Sequence, residues 1–324
     1  MKGSGLKRCL ALMAVTLFTC AASAQYVPSM TLGKPQKKHN EGYWGPGNTF
    51  SHLDLSLSLG TTGIGIDVAM PICQFAQVHI GYEFMPHFKK SISSKVQIGN
   101  EESIQYDDNN NRIETHYTEV ADSLYNLMGY DMQPFVDMTS RITMNNFKFL
   151  VDIFPMTDNK KLHVTVGFYY GPSAYAEITH DGGSTPTLQC ISYYNNNYET
   201  MYDGKFKDYG TAGIPMGKYD DDNTDYKMTP SSKGEITIPV KTNSFKPYLG
   251  VGYEANLLKK REDLKFAVTG GLMFWGTPSM VTPDGVNLTK DVSDISGDMG
   301  SYVKVASFLK AFPVISFRII KNIF

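Results

Sequence analysis

The sequence is poor in cysteine and in net charge, and it lacks a long apolar segment beyond its N-terminus. Its 30 basic and 32 acidic residues nearly cancel, and no cluster of lysines and arginines forms the basic stripe of a nucleic-acid-binding protein. After residue 24 no apolar run reaches the roughly 18 residues of a transmembrane helix. These absences exclude a membrane protein built from helices, and they leave nothing that favours nucleic acid as a partner.

The first 24 residues have the pattern of a secretory signal peptide. Lys2, Lys7 and Arg8 precede an apolar run over residues 9–22, and an Ala-Ser-Ala cleavage sequence ends the segment at residue 24. Residues 25–49 contain prolines and glycines without periodicity and are predicted to form a periplasmic N-terminal lead-in. The chain is therefore predicted to be exported.

Alternation of apolar and polar residues begins between residues 53 and 70. Leucines occupy the odd positions from 53 to 59, and apolar residues occupy the even positions from 64 to 70. Because strand side chains point alternately to opposite faces, only a tight turn in the Gly-Thr-Thr-Gly sequence at 60–63 keeps both sets on one face. This stretch is predicted to be a β-hairpin.

The same alternation recurs and predicts eight strands. They cover residues 50–59, 63–72, 77–84, 147–153, 162–170, 248–254, 265–275 and 312–324. Long insertions near residues 88–144, 177–240 and 277–310 alternate with short connections, as external loops alternate with periplasmic turns in outer-membrane barrels. We therefore predict an all-β fold over residues 50–324, a closed eight-stranded antiparallel transmembrane β-barrel with long extracellular loops.

Alternation alone does not say which face meets lipid, since a soluble barrel alternates with its apolar side inward. The polar face carries many glycines, which suit the crowded interior of eight strands. It also carries three histidines, His52, His79 and His163. We predict a lumen charge network that consists of Asp54, Asp67, Glu83, Asp152, Glu254, Lys148, Lys265 and Arg318.

Several short motifs carry a family resemblance. They are GTTGIG at 60–65, FKFLVDIFP at 147–155, PYLGVGY at 247–253, PVIS at 313–316 and the terminal Phe324. In this order they resemble the small, largely uncharacterised OmpA-like outer-membrane β-barrel proteins of Gram-negative bacteria. The resemblance implies that the barrel-assembly machinery recognises Phe324. That residue is out of phase with Ile315 and Phe317, so either a bulge near residues 319–320 restores the spacing or the assembly signal is degenerate.

The lumen charges have two interpretations. They could form a proton relay, an active site or a polar pore, or they could be a packed network that fills an interior about as wide as its side chains. Near the external rim, His87, His180, Asp181 and Ser184 are the only residues that could serve a lipid-modifying enzyme, and no spacing links them. We favour the packed network and predict no catalytic residues, no cofactor and no metal.

The long insertions are the most informative parts outside the barrel. Acidic clusters at 107–111 and 220–225 lack the spacing of a calcium-binding EF-hand loop and are interpreted as solvated loop tips. Tyrosines and asparagines concentrate between residues 193 and 226, either to bind a partner or to pack the loop on itself. Residues 118–128 have apolar positions at helical spacing, with Gly129 as a C-terminal stop.

These observations predict an outer-membrane protein that acts through its surface loops. The loops would bind a protein or a glycan or would support envelope integrity, while membrane lipid and the assembly machinery would be the general partners. A narrow solute channel is the second hypothesis and a lipid-modifying enzyme the third.

Overall fold

The computed structural model describes residues 52–73, 75–109, 111–155, 161–258, 261–295 and 297–323. The predicted signal peptide (1–24), the lead-in (25–49) and Phe324 lie outside these residues. The helices are α1 (His116–Met128), α2 (Thr185–Asn197) and α3 (Gly297–Phe308). In the described part of the chain, no helix is long and apolar enough to cross a membrane.

Strands make up most of the described structure. In chain order they are β1 (Asp54–Gly60), β2 (Gly63–Cys73), β3 (Ala76–Phe84), β4 (Lys89–Lys95), β5 (Gln97–Ile98), β6 (Glu101–Glu102), β7 (Gln105–Tyr106), β8 (Arg112–Ile113), β9 (Phe135–Ile142), β10 (Asn145–Ile153), β11 (Leu162–Tyr170), β12 (Ala174–His180), β13 (Ala212–Tyr219), β14 (Asp225–Met228), β15 (Thr237–Lys241), β16 (Phe245–Leu258), β17 (Arg261–Phe274), β18 (Ser279–Met280), β19 (Val292–Ser293) and β20 (Ala311–Asn322).

Eight of these strands close into an antiparallel barrel in the order β1-β2-β3-β10-β11-β16-β17-β20, with β20 pairing back onto β1. The predicted all-β fold with a closed eight-stranded antiparallel barrel is confirmed. The register of β20 runs without a shift against both neighbours, so Ile319 faces outward and Ile320 inward. The bulge considered near these two residues does not occur.

The two faces of the barrel differ sharply in polarity. The outward side chains form an apolar belt, and its most exposed large members are 37–64% exposed in the isolated chain. The belt includes Leu55, Leu57, Leu59, Ile64, Ile66, Val68, Ile80, Tyr82, Phe84, Phe147, Ile153, Leu162, Tyr170, Leu249, Val251, Tyr253, Leu272, Phe274, Ile315, Phe317 and Ile319. An even-numbered barrel that is apolar outside and polar inside has the construction of an outer-membrane β-barrel.

Glycines allow neighbouring backbones and inward side chains to approach each other inside the barrel. A Cβ atom on Gly271 would lie 2.4 Å from the carbonyl oxygen of Leu249 and 2.6 Å from Cα of Gly250. Gly63 adopts a φ of 114° in the β1–β2 turn, where a Cβ atom would also meet the Phe84 carbonyl. These positions exclude larger residues for steric reasons.

The three long insertions are folded, and we call them together the cap. Their main sheet has the order β18-β15-β12-β9-β4. Each of these strands is the chain neighbour of one barrel strand, and those barrel strands have the matching order β17-β16-β11-β10-β3. Between the barrel and this sheet, backbone hydrogen bonds also join the connecting segments, from Gly171 N–H to the Ser244 carbonyl and from Thr242 N–H to the Ser173 carbonyl. The cap sheet therefore continues the barrel wall above five of its eight strands.

The cap has a hydrophobic core of its own. A second sheet, β14-β13-β5-β6, and the three helices pack against the first one. The helix predicted at 118–128 is confirmed as α1, which ends at Gly129 with a φ of 70°. Buried members of this core include Ile92, Tyr117, Val120, Leu124, Val136, Met138, Ile178, Leu188, Ile191, Tyr194, Phe206, Ile214, Tyr226, Met228 and Ile238.

Part of the tyrosine-rich segment proves to be helical. Helix α2 contains the asparagine run that the sequence analysis interpreted as loop, and the Asn195 amide exchanges two hydrogen bonds of 2.8 Å with the backbone of Ala212. Tyr194 and Tyr226 are buried, whereas Tyr202 is half exposed. Packing of the segment on itself is therefore confirmed for Tyr194 and Tyr226, whereas binding of a partner stays a prediction.

We expect Gly271→Ala to lower the free energy of unfolding by about 1–3 kcal/mol, because its Cβ atom would be forced against strand β16. Gly270→Ala is the matched control, since a Cβ atom there meets nothing within 4 Å. The measurement is the urea midpoint of unfolding in detergent micelles, followed by tryptophan fluorescence. Equal midpoints for the two variants would contradict close packing inside the barrel.

Candidate functional site

The centre of the lumen contains a buried cluster of charged side chains on β2, β3, β10 and β20, which we call the ion cluster. Arg318 donates to Asp152 Oδ2 over 3.0 Å, and His79 Nε2 lies 2.9 Å from the same oxygen. His79 Nδ1 lies 3.4 Å from Asp67 Oδ1. Three of the eight predicted lumen charges thus meet around one histidine.

Lys148 extends the ion cluster toward the cap. Its ammonium group lies 2.9 Å from Asp67 Oδ2 and 2.9 Å from Glu83 Oε1. All of these side chains are nearly inaccessible to solvent. Since isolated charges are costly to bury, the alternation of acidic and basic groups is what makes this interior possible.

The other three predicted lumen charges, Glu254, Lys265 and Asp54, form two further groups. Both groups lie nearer the end of the barrel at which β1 begins. Lys265 donates to Glu254 over 2.7 Å. Asp54 accepts hydrogen bonds from the side-chain amides of Gln77 (2.9 Å) and Asn322 (3.0 Å). The structure places all eight charges inside the barrel, but it distributes them over three groups.

An aromatic and apolar cluster fills the lumen toward the cap, and we call it the aromatic plug. Its buried members are Met144, Leu150, Tyr169, Tyr248, Met273, Trp275 and Val314. Tyr169 and Tyr248 pack edge to face with ring centroids 5.5 Å apart. Trp275 stacks on Tyr175 of the cap at 4.6 Å and donates its indole N–H to the Leu309 carbonyl. The plug thereby connects the barrel interior to the cap.

One buried charge was missed by the sequence analysis. Strand β16 begins at Phe245, three residues before the predicted start, so Lys246 belongs to the barrel wall and points inward. Its ammonium group donates to Asn146 Oδ1 over 3.0 Å and lies 3.5 Å from the Pro172 carbonyl oxygen. The alternation Phe245, Lys246, Pro247 was the available signal, because the outer two residues continue the outward apolar row and Lys246 has the inward phase.

The residues considered for enzymatic chemistry make structural hydrogen bonds. His180 Nδ1 lies 3.2 Å from the backbone of Ile236, and Asp181 accepts a 2.6 Å hydrogen bond from the Thr139 hydroxyl. Ser184 Oγ accepts from the Asp137 N–H over 2.8 Å. His87 follows the end of β3. The geometry does not assemble a nucleophile with a base and an orienting group in hydrogen-bond sequence.

The two acidic loops use their carboxylates locally. Asp107 accepts from the N–H groups of Asn109 and Asn111, and Asp222 accepts from the N–H and hydroxyl of Thr224. These bonds lower the pKa of both carboxyls. Over the described ranges, no group of three or more histidine, cysteine or acidic side chains could hold a metal ion.

The cap surface carries one ordered aromatic group beside α1. His116 stacks on Tyr209 with ring centroids 3.8 Å apart, and the Tyr209 hydroxyl donates to Glu119 over 2.6 Å. That bond lowers the pKa of Glu119, and Lys205, 3.3 Å away, acts in the same direction.

In the cap interior, burial raises the pKa of the Cys190 thiol to about 11. Such a thiol is predominantly protonated at neutral pH and is a weak nucleophile.

No protein-family model and no curated protein matches the chain. Among solved structures, CarO2 of Acinetobacter baumannii is 13% identical, with 84% of this chain and 98% of that chain covered and a TM-score of 0.38. CarO of the same organism is 14% identical, with coverages of 83% and 97% and a TM-score of 0.36. A major outer membrane protein from Thermus thermophilus is 10% identical, with coverages of 84% and 99% and a TM-score of 0.26.

We expect Arg318→Met to destabilise the protein by about 3–5 kcal/mol, because the buried carboxylate of Asp152 would lose its arginine partner. Lys321→Met is the control, since Lys321 pairs with Asp263 at the surface and such pairs contribute at most about 1 kcal/mol. Urea unfolding in detergent micelles measures both. Similar losses in the two variants would show that the ion cluster is not what stabilises the interior.

Proposed function

We propose that the protein is a non-conducting outer-membrane barrel of the OmpA-like kind and that its folded cap is the working part. In this proposal residues 1–24 are removed on export, and the apolar belt faces membrane lipid. Apolar rows that are roughly half exposed in the isolated chain support this placement, because soluble monomers rarely present an apolar surface so large.

The filled lumen is the observation that carries the proposal. An eight-stranded barrel leaves an interior about as wide as its side chains, and here both the ion cluster and the aromatic plug lie in it. The inward residues Tyr169, Tyr248 and Met273 are each less than 5% exposed. A solute would have to displace both clusters in order to pass.

The cap presents a large folded surface to which a partner could bind, whereas the lumen is filled. Its exposed side chains include Tyr125 on α1 and Tyr202, whose ring packs edge to face on the buried Phe206. Tyr202 and Asp203 hold positive φ angles of 49° and 57°, a strained conformation that surrounding structure has to impose. Rigid tyrosines give large contact area at small entropic cost, which suits binding of a protein or a glycan.

We expect the purified protein in planar lipid bilayers to produce no current steps above those of a protein-free bilayer. The physical reason is that paired charges and aromatic rings occupy the lumen. A general porin reconstituted in parallel provides the positive control. Regular conductance steps from the unaltered protein would overturn the proposal and favour a narrow channel.

We expect the double variant Tyr125→Ser and Tyr202→Ser to lose at least about tenfold in affinity for a surface ligand, as hot-spot aromatics do. Micelle-embedded protein is tested on arrays of glycans and of extracellular proteins. Tyr170→Ser is the matched control, because Tyr170 is as exposed as Tyr125 but lies in the apolar belt. Equal binding by the double variant, or no binding by the unaltered protein, would count against a binding role of this surface.

A further inference from the structure

Lys246 differs from the other buried cations of the barrel in having no acidic partner. Its side chain is 1% exposed, and it lies at the level where the barrel wall passes into the cap, register-paired with Tyr169. Lys148 and Arg318 each have carboxylates within ion-pair distance. Among the described residues, none of the ion pairs includes Lys246, whose two hydrogen-bond acceptors are neutral oxygens.

The register neighbour of Asn146 on β3 is Glu83, a carboxylate that pairs with another cation. Its Oε1 lies 2.9 Å from the Lys148 ammonium group, and its Oε2 is buried and accepts no hydrogen bond within the described structure. A buried ammonium group without a counter-charge is expensive, because two neutral acceptors replace only part of its hydration. The ordinary solutions are a neutral amine or an anion bound beside it.

A second buried donor points to the anion. The side-chain nitrogen of Asn146 is buried and donates no hydrogen bond within the described structure, whereas its oxygen accepts from Lys246. A Cβ atom on Gly171 would lie 2.5 Å from that oxygen, so a glycine is required for the amide to occupy its position. An ammonium group without a counter-charge and an amide N–H group without an acceptor therefore lie in the same small region.

We propose that Lys246 and Asn146 form a binding site for one small monovalent anion, a halide or a carboxylate, at the junction of barrel and cap. The site lies between the ion cluster and the cap sheet, where β11 continues into β12. Binding would neutralise Lys246 and give the Asn146 amide its missing acceptor. The anion would thus stabilise the connection between the barrel and the cap.

Thermal unfolding in nonionic detergent micelles tests the site, with chloride as the probe. Chloride replaces gluconate, whose polyhydroxylated carbon chain makes it much larger than the small anions proposed here, at constant ionic strength. We expect the melting temperature of the unaltered protein to rise by about 2–4 °C. We expect Lys246→Met to lose this rise. Lys227→Met is the matched control, and we expect this variant to keep the rise in melting temperature. Lys227, like Lys246, donates to two neutral oxygens, but it lies in the cap and not in the barrel wall.

Asn146→Asp provides an independent arm if the lysine variant does not fold. It places a carboxylate where the amide oxygen now lies 3.0 Å from the ammonium group, so the protein would carry its own counter-charge. We expect this variant to fold and to be insensitive to chloride. The proposal is overturned if the unaltered protein does not respond to chloride, or if Asn146→Asp responds as strongly as the unaltered protein.

Discussion

The width of the barrel interior is the constraint on which the rest of this structure depends. Eight strands enclose a space that inward side chains fill, so glycines, paired charges and well-packed rings recur at the inward positions. Gly271, the Arg318–Asp152 pair and Trp275 are examples of these three solutions. Each of them also removes space through which a solute could move.

The cap is positioned by the strands of the barrel wall. The wall of the barrel does not end at the rim but continues through β4, β9, β12, β15 and β18 into a sheet with its own core. This continuity makes the cap rigid relative to the strands below it, and Trp275 packs across the junction. For the proposed binding function, a surface held in this way would reduce the entropic cost of forming a complex.

Charge pairing inside the barrel depends on residues that are distant in sequence. Arg318 and Asp152 are 166 positions apart, and Lys148 reaches Glu83 across 65 positions. Their types and inward direction follow from alternation along each strand, so membership of the lumen was predictable from the sequence. Which charges meet depends on strand order, tilt and closure, so the division into three groups was not predictable.

The sequence alone determined the barrel. Apolar and polar residues alternate along its long strands, and this period of two assigns each side chain to the outer or the inner face. Two features were missed. Lys246 was missed because the predicted strand began at Tyr248, although the alternation continues back to Phe245, and α2 was missed because its asparagines are typical of loops. Only the tertiary structure decided the cap, since its short strands acquire buried faces from sheets and helices contributed by three separate insertions.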